Sequence, residues 1–262
     1  MRAYIEVARR SFHRKSSYKL EYYLGLFGSL LSIFISVAIW KAVYGSTASF
    51  AGITQEQAVT YAVIAMLMRI VLSMNEFLID GKIKSGEIAS DLIRPYHFLT
   101  YVFSMIIGEV GFNLWTKALP LIILSIFMFQ LEVSHSWINL LFFLISAAFS
   151  YLLLYFFNLI FWLFAFWVHQ TWSIVTIKNA AVLLLSGATI PYWFLPDWLA
   201  YIFEWLPFKY IYFTPVTIAL GEAHQGDILR LFIEQIGWIL LLAAAGLLLW
   251  RRAQNKLIIQ GG

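Results

Sequence analysis

The sequence predicts an all-α polytopic membrane protein with six transmembrane helices. Of its 262 residues, 61% are hydrophobic and only 12% are charged, whereas charged residues make up about a quarter of a typical soluble domain. So little polar material cannot cover the surface of a soluble protein of this length. Six long apolar runs, each able to cross about 30 Å of membrane hydrocarbon, complete the case for this fold class.

The predicted spans cover residues 24–44, 57–79, 100–129, 138–168, 173–190 and 230–250. The third and fourth exceed the length that a crossing needs, so we expect them to tilt or to project beyond the head groups. The fifth is the least regular, because it carries Lys178 near its start and stops at Pro191. The remaining loops are too short for a separate soluble domain, so residues 1–262 form a single transmembrane domain.

The distribution of Lys and Arg predicts the orientation, because basic residues accumulate in cytoplasmic segments. With the N-terminus inside, thirteen basic residues are cytoplasmic and three are external. The cytoplasmic residues are Arg2, Arg9, Arg10, Arg14, Lys15, Lys19, Lys82, Lys84, Arg94, Lys178, Arg251, Arg252 and Lys256, and the external ones are Lys41, Lys209 and Arg230. The protein is therefore expected in the cytoplasmic (inner) membrane with both termini inside. The same asymmetry explains the net charge of +4 without a nucleic-acid partner.

Residues 1–20 are basic and amphipathic. Residues 4–15 place Ile5, Ala8 and Phe12 on one helical face and charged residues on another, a pattern typical of a helix lying in the membrane interface against anionic lipid. A plain basic anchor is the alternative. The stretch does not resemble a secretory signal peptide, because no small-residue cleavage site follows the first apolar run.

The connection at 80–95, between the second and third spans, predicts a short cytoplasmic helix over residues 86–93. Ser85 is a suitable N-cap, and Pro95 prevents the helix from continuing. Acidic residues favour its N-terminal half.

Two faces follow from this helical spacing, with Ile88 and Leu92 on one and Glu87 and Asp91 on the other. A short helix that is half apolar and half charged suits docking into a groove on a soluble partner. A helix resting on the membrane surface is the alternative.

The segment 186–229, between the last two spans, is too apolar for a solvated loop and too interrupted for a straight span. It holds four of the six prolines and a dense set of interfacial aromatics: Pro191, Pro196, Pro207, Pro215, Trp193, Trp198, Trp205, Tyr192, Tyr201, Tyr210 and Tyr212. Aromatic belts mark membrane interfaces, so we predict short helices that dip into the outer leaflet and return. Backbone at that depth must be buried in protein or line a water-filled cavity, as in a lid over an exit path or in plain structural packing.

Charged residues inside predicted spans are candidates for function or for pairing. Arg69 and Glu109 fall at comparable predicted depths on adjacent spans, and Lys117 lies deeper. An unpaired charge at the bilayer centre costs about 2.5–3.5 kcal/mol on insertion scales. We therefore predict an Arg69–Glu109 pair, either a structural ion pair or a substrate-linked one, and leave the role of Lys117 open.

The first span carries small residues at helical spacing: Gly28, Ser32 and Ser36. Such a face permits close approach of another helix, from the same subunit or from a partner.

The sequence contains no motif for chemistry of its own. It has no cysteine, and the cluster GKIKSG at 81–86 lacks the leading glycine of a phosphate-binding loop. No zinc-protease or nucleophile-elbow motif occurs, and no two histidines have helical ligand spacing. We therefore predict no catalytic residue, no cofactor and no metal site in this chain.

Two stretches carry a family resemblance: SGEIASDLIRPY in the 80–95 connection, and LSGATIPYWFLPDWL with LPFKYIYFTPVTIALG before the last span. Both resemble the permease subunits of type-2 ABC export systems, in particular the six-span branch of about 260 residues. The resemblance extends over essentially the whole chain, since the order of interfacial helix, spans and re-entrant segment also agrees.

The resemblance implies an ATP-driven exporter. Two permease subunits would pair around a central path, and each would dock on a separate ATPase subunit that binds ATP and Mg. The helix at 86–93 would be the coupling helix, with the interfacial helix beside it. The implied coupling residues are Ser85, Gly86, Glu87, Ile88, Asp91 and Leu92, and the implied external gate residues are Pro191, Trp193, Pro196, Pro207 and Pro215. Whether the second permease is the same chain or a related one stays open, as does the substrate.

Two other classes compete with this reading. A secondary transporter or channel driven by an ion gradient would need discontinuous helices with paired acids, or an internal repeat. A membrane-embedded enzyme would need a cluster of His, Asp or Glu at one membrane level.

Overall fold

The computed structural model describes residues 2–16, 19–45, 47, 49–50, 52–129, 131–134, 136–168 and 170–256, and these residues are mostly helical. The helices are α1 (Arg2–Ser16), α2 (Lys19–Tyr44), α3 (Gln55–Val71), α4 (Leu78–Lys84), α5 (Glu87–Ile93), α6 (Phe98–Phe112), α7 (Leu119–Phe129), α8 (Trp137–Leu163), α9 (Trp172–Leu185), α10 (Asp197–Glu204), α11 (Phe213–Leu220) and α12 (Gln225–Gln254). A π-helical stretch, Asn113–Ala118, joins α6 to α7. Short 3-10 turns occupy Phe164–Phe166, Tyr192–Phe194 and Pro207–Tyr210. Two antiparallel strands, β1 (Ser49–Phe50) and β2 (Ile53–Thr54), connect α2 to α3, with Ser49 opposite Thr54.

Four helical stretches of the described residues are long and apolar enough to cross a membrane: Tyr22–Tyr44, Phe98–Phe129, Trp137–Phe166 and Gly226–Gln254. They correspond to the predicted first, third, fourth and sixth spans. Helix α3, with 17 residues, corresponds to the predicted second span, and α9, with 14 residues, corresponds to the predicted fifth span. The all-α membrane architecture is therefore as predicted, while two of the six proposed spans are shorter than expected.

The predicted second span extended to residue 79, but α3 ends at Val71. The polar sequence that follows explains the difference. Asn75 Oδ1 accepts a hydrogen bond from the Phe77 backbone N–H at 3.0 Å, which is an Asx turn that competes with the helix. The chain then starts the separate helix α4 at Leu78.

The long stretch formed by α6, the π-turn and α7 is distorted near its centre by Pro120. A proline has no N–H and so removes one backbone hydrogen bond from this stretch. Beside it, the Tyr22 hydroxyl of α2 donates to Thr116 O at 2.7 Å. A helix defect here serves as an attachment point for a neighbouring helix.

The core of the bundle forms around α8, which packs against α12 and the short helix α11. Helix α11 is the most enclosed element, with every residue from Thr214 to Ala219 buried. Helix α3 contacts α11 on one side and α2 on the other. The face of α2 used there follows helical spacing: Ile33, Val37, Trp40 and Tyr44.

Helix α1 covers residues 2–16, close to the predicted range of 4–15, and its location in the membrane interface stays a prediction. It packs along α6 in the same direction, with the Phe12 ring 5.5 Å from that of Phe112. Gly108 makes this contact possible, since a Cβ there would lie 2.0 Å from the Ala8 carbonyl oxygen. Ile5, predicted on the apolar face, is 69% exposed. The helix therefore uses a protein surface as well as any lipid surface.

Candidate functional site

The 80–95 connection folds as a hairpin of two short helices, α4 and α5. Gly86 ends α4 with a φ of +73° and its N–H bonds to Ile83 O at 3.1 Å, a left-handed helix end that glycine adopts without a Cβ clash. At the other end, Arg94 is extended before Pro95. The predicted helix at 86–93 agrees with α5 to within one residue, but the predicted N-cap was wrong. Ser85 is the C-cap of α4, and Gly86 occupies the N-cap position of α5.

A buried ion pair locks α4 against α5. Lys82 Nζ lies 2.6 Å from Asp91 Oδ2 and 3.0 Å from Glu87 Oε1. The side chains of Lys82 and Asp91 are 8% and 1% exposed. Asp91, predicted on the same helical face as Glu87, points inward. It points inward because Lys82 of α4 lies there, and the sequence pattern of α5 alone does not show this contact.

The charge on Lys82 is stabilised where it lies. Burial by itself lowers the pKa of Lys82, but hydrogen bonds to Asp91 and Glu87 outweigh this and raise it above its ordinary value of 10.5. The Tyr101 ring, 5.5 Å from Nζ, adds a cation–π contact. Lys82 is therefore a positively charged buried group at neutral pH.

Apolar contacts anchor the same hairpin to the bundle. Ile79 of α4 and Ile88 of α5 are buried among the ends of three long helices: Phe98 and Val102 of α6, Leu159 and Trp162 of α8, and Trp250 of α12. Ile88, predicted to present an apolar face outward, is thus core, and Leu92 is half-buried against the same cluster. Movement of the hairpin must move these helix ends with it.

The outward surface of the hairpin is consequently a different set of side chains. It consists of Ser85, Gly86, Glu87, Ser90, Ile93 and Arg94, which we call the docking face. Ile93 is 85% exposed and precedes the charged Arg94. Of the predicted coupling residues, Ser85, Gly86 and Glu87 lie on this face, whereas Ile88, Asp91 and Leu92 support it from behind.

Helix α1 lies next to the hairpin. The His97 backbone N–H, at the start of α6, donates to the Tyr4 hydroxyl at 3.1 Å. The exposed side of α1 carries Arg9 and Arg10, which both pair with Glu6. The hairpin and α1 thus form neighbouring charged surfaces on one end of the bundle.

Glu109 does not pair with Arg69, so that prediction was wrong. Its carboxylate lies 3.2 Å from Arg14 Nη2 and 3.5 Å from Lys15 Nζ, both on α1. The register of α3 explains the error. Ser73 bonds to Asn113 at 3.0 Å, and since the helices are antiparallel, Arg69 and Glu109 lie one turn to opposite sides of this contact. That separates them by about two turns, roughly 11 Å.

Two other basic residues occupy the bundle interior. Lys117 lies against α2, with Nζ 3.4 Å from the Cβ position of Gly25. Lys178, predicted as a cytoplasmic flanking residue, is buried in the middle of α9 and bonds to Glu76 and to Asn158 of α8. Its charge is satisfied by partners from two other segments, one of which is the irregular stretch after α3.

The 186–229 segment contains short helices that have a proline at their start or in their first turn. Pro191 and Pro196 occupy N-cap positions, Pro207 begins a 3-10 turn, and Pro215 lies in the first turn of α11, where a missing N–H is tolerated. Trp193 packs on Tyr61 and Phe213 with ring centroids 5.3 and 5.4 Å apart. These five predicted gate residues therefore shape the segment, and their gating role stays a prediction.

Two details of this segment were not predicted from the sequence. Helix α10 buries no residue and exposes a stripe at helical spacing: Trp198, Tyr201, Ile202 and Trp205. Gly187, with φ +76°, lies so close to Tyr61 and Phe213 that a Cβ would be 2.9 Å from each. The Tyr61 hydroxyl donates to Gly187 O at 2.8 Å, which ties the segment to α3.

The small-residue face of α2 is unused within the described chain. Gly28 and Ser32 are exposed, and a Cβ at Gly28 would meet nothing within 4 Å. Ser36 is half-buried. Contact with a helix of the same subunit or of a partner was predicted for Gly28, Ser32 and Ser36. The contact with a partner stays a prediction.

Sequence reasoning missed Lys82, Glu76 and Asn158 as site residues. Lys178 was noticed, but it was counted as a cytoplasmic residue near the start of the fifth span. The sequence did contain a signal for Lys178. Trp172 and Val175 precede it and an apolar run follows it, so it lies at least one turn inside a helix. Asn158, within the strongly apolar α8, was a second such signal.

Comparison with known proteins gives one match. The sequence model of the family described as ABC-2 family transporter protein matches residues 30–261. No curated protein and no solved structure matches the chain. The matched range includes α3 to α12, the docking face and the proline-rich segment. The chain belongs to the ABC-2 transporter family and is a transmembrane permease of that family.

Proposed function

We propose that the chain is the membrane subunit of an ATP-driven exporter, with ATP and Mg bound and hydrolysed by a separate ATPase subunit that contacts the docking face. Permeases of this family generally work with ABC ATPase partners. The observation that carries the proposal is Ile93, 85% exposed on a hairpin that is otherwise locked into the bundle. Together with Glu87 and Arg94 it gives the docking face both apolar and charged side chains, as on a helix that enters a groove of a protein partner.

The proposed topology keeps six crossings, with α3 and α9 as the second and fifth, and both termini cytoplasmic. The 17 residues of α3 extend about 26 Å, which is close to the hydrocarbon thickness. The capping box of Thr54 with Gln57 at its start, at 2.9 and 3.2 Å, provides a firm helix end. This topology puts α1, α4 and α5 on the cytoplasmic side, where an ATPase is available.

In the assembly that we propose, two permease subunits, identical or related, pair in the cytoplasmic membrane and bind two ATPase subunits. The exposed face of Gly28, Ser32 and Ser36 is available for this pairing. The aromatic stripe of α10 would rest in the outer leaflet, and α11 with the residues at 191–215 would close the exit.

Packed helices connect the docking face to the rest of the bundle and would transmit its movement. Ile79 and Ile88 join the hairpin to the ends of α6, α8 and α12, and Lys82–Asp91 keeps the hairpin rigid. Because α8 packs on α11, and both α8 and α12 contact the 3-10 turn Pro207–Tyr210, a shift at the docking face would reach the proline-rich segment. Rigid-body displacement of packed helices is a common form of such coupling.

Co-purification tests the proposal. The permease is co-expressed with its candidate ATPase and isolated in mild detergent, as the unaltered chain and as Ile93→Asp. We expect Ile93→Asp to lose the ATPase while the permease itself is recovered. Phe50→Asp, an equivalent change at an exposed residue of β1 beyond the other end of α2, is the control and should retain the partner.

Two results would contradict the proposal. One is an Ile93→Asp variant that retains a stoichiometric ATPase. The other is transport by the chain alone in liposomes, without ATP, because that would indicate an ion-gradient transporter or channel.

A further inference from the structure

A cavity of about 540 Å³ lies between α3, α8, α9 and the chain before α11. It is distinct from the docking face. Its lining includes Arg69, Glu76, Asn158 and Lys178, which is an unusual density of charge for a bundle of this apolarity. Intramembrane charges mark functional sites when packing alone does not explain them.

One of the two cations is neutralised inside the protein. Lys178 Nζ bonds to the Glu76 carboxylate and to the Asn158 amide oxygen, and its side chain is 2% exposed. Lys178 and Glu76 therefore form a closed pair on one wall of the cavity. That pair leaves no acid in the lining for a second cation.

Arg69 is that second cation. Among the described residues, no carboxylate lies within 4.0 Å of its guanidinium, and its hydrogen bond goes to the sulfur of Met66 at 3.7 Å, a weak acceptor. A guanidinium does not lose its proton in proteins. The cavity therefore carries an excess positive charge on a half-buried side chain with several unused donors.

The rest of the cavity lining has a polar part and an apolar part. Asn158 and Lys178 define the polar part, at the contact between α8 and α9. One turn further along the same two helices, Leu154 and Val182 line the cavity. A ligand bound here would meet both the Arg69 guanidinium and apolar side chains such as Leu154 and Val182.

We propose that this cavity binds an amphipathic anion, with a phosphate or carboxylate head on Arg69 and an apolar tail along Leu154 and Val182. An arginine fork matches such oxyanions through two parallel hydrogen bonds. That the anion is the exported substrate rests on the proposed function, whereas the binding chemistry stands on the cavity alone. A membrane lipid head group and an acidic amphipathic substrate share this chemistry.

The test is equilibrium binding of dodecyl phosphate to the full-length permease in dodecyl maltoside, without any ATPase. Dodecyltrimethylammonium has the same tail with a cationic head, and inorganic phosphate has the head without the tail. We expect dodecyl phosphate to bind at least about tenfold more tightly than either, which is a difference of about 1.4 kcal/mol.

Two substitutions move the affinity in opposite directions. Arg69→Gln should weaken dodecyl phosphate binding by about ten- to hundredfold, the contribution of a charge-assisted hydrogen bond. Glu76→Gln should strengthen it, because Lys178 is then free to attract the anion. Arg230→Gln, at an exposed ion pair of α12, is the control and should leave the affinity unchanged. A gain on Glu76→Gln is not expected from a merely structural role, so it remains decisive if Arg69→Gln fails to fold.

Equal binding of the cationic probe, or unchanged affinity in both Arg69→Gln and Glu76→Gln, would overturn the proposal. In nanodiscs, competition by phosphatidylglycerol would identify a lipid head group as the occupant, and tight binding without competition would identify an acidic amphipathic substrate. No ATPase is present in this binding experiment. A negative result here therefore does not bear on the result of the Ile93→Asp co-purification.

Discussion

Lys82 Nζ of α4 lies 2.6 Å from Asp91 Oδ2 of α5, and this buried ion pair fixes the shape of the docking face. The cost of removing both charges from water offsets the attraction of such a pair and can exceed it. Its value is geometric, since it holds α5 in one orientation and turns Ile93 outward. Removing one partner, however, leaves a buried charge uncompensated.

Asp91→Ala should therefore lower stability strongly. We expect a loss of about 3 kcal/mol, the lower end for a broken buried pair, because Glu87 remains as a partner for Lys82. Thermal unfolding of the purified permease measures it. Arg10→Ala removes the exposed Arg10–Glu6 pair of α1 and should cost at most about 1 kcal/mol. Equal effects of the two changes would contradict the assigned role of Asp91.

The Lys82 pair should also have a defined pH dependence. Its pKa in the folded protein is raised above 10.5, so its stabilising contribution is complete below that pH and is lost as the pH rises through the folded value. The difference in melting temperature between the unaltered chain and Lys82→Met should stay constant from about pH 6 to 9 and shrink above pH 10.5. A difference that already changes near pH 7 would exclude this assignment.

Gly108→Ala should detach α1 from α6. The added Cβ would lie 2.0 Å from a backbone oxygen of Ala8, which cannot move without the whole helix, so we expect a loss of about 1–3 kcal/mol. Gly111→Ala, one turn along the same helix, meets Phe12 at an ordinary 3.8 Å and should gain up to about 1 kcal/mol from helix propensity.

Hydrogen exchange of residues 2–16 measures this detachment directly. Faster exchange in Gly108→Ala but not in Gly111→Ala is the expected result. Unchanged protection in both variants would mean that α1 does not depend on the close contact.

Tyr22→Phe should weaken the contact between α2 and the π-turn. It removes the hydroxyl that donates to the half-buried Thr116 O at 2.7 Å, and a typical intramolecular hydrogen bond contributes about 0.5–1.5 kcal/mol. Tyr23→Phe changes an exposed neighbour and should be neutral. If both variants melt together with the unaltered chain, water or another group satisfies this carbonyl.

Much of the fold followed from the sequence. Apolar runs located the long helices, Pro95 correctly ended α5, and the basic amphipathic N-terminus predicted α1. The exceptions have local causes, such as the Asx turn of Asn75, which ended α3 eight residues before the predicted boundary at 79. Asn75 is a small polar residue in an apolar stretch, so hydropathy averaged over many residues did not reveal the helix end.

The candidate site was predicted less well. Counting residues from a helix end put Arg69 and Glu109 at one depth, but the Ser73–Asn113 contact sets a different register. Similarly, α5 alone has two equivalent faces, and only α4 decides that Asp91 points inward and Ile93 outward. In both cases the missing information lies in a second helix.

The sequence by itself determined that this chain is a bundle of apolar helices with a basic end, because transfer into a bilayer is a sum of contributions from consecutive residues. Tertiary structure alone decided which charges meet: Lys82 with Asp91, Glu109 with Arg14 and Lys15, and Lys178 with Glu76 and Asn158. Ion pairs depend on distances between residues far apart in the chain, so their pattern follows from helix register and not from composition.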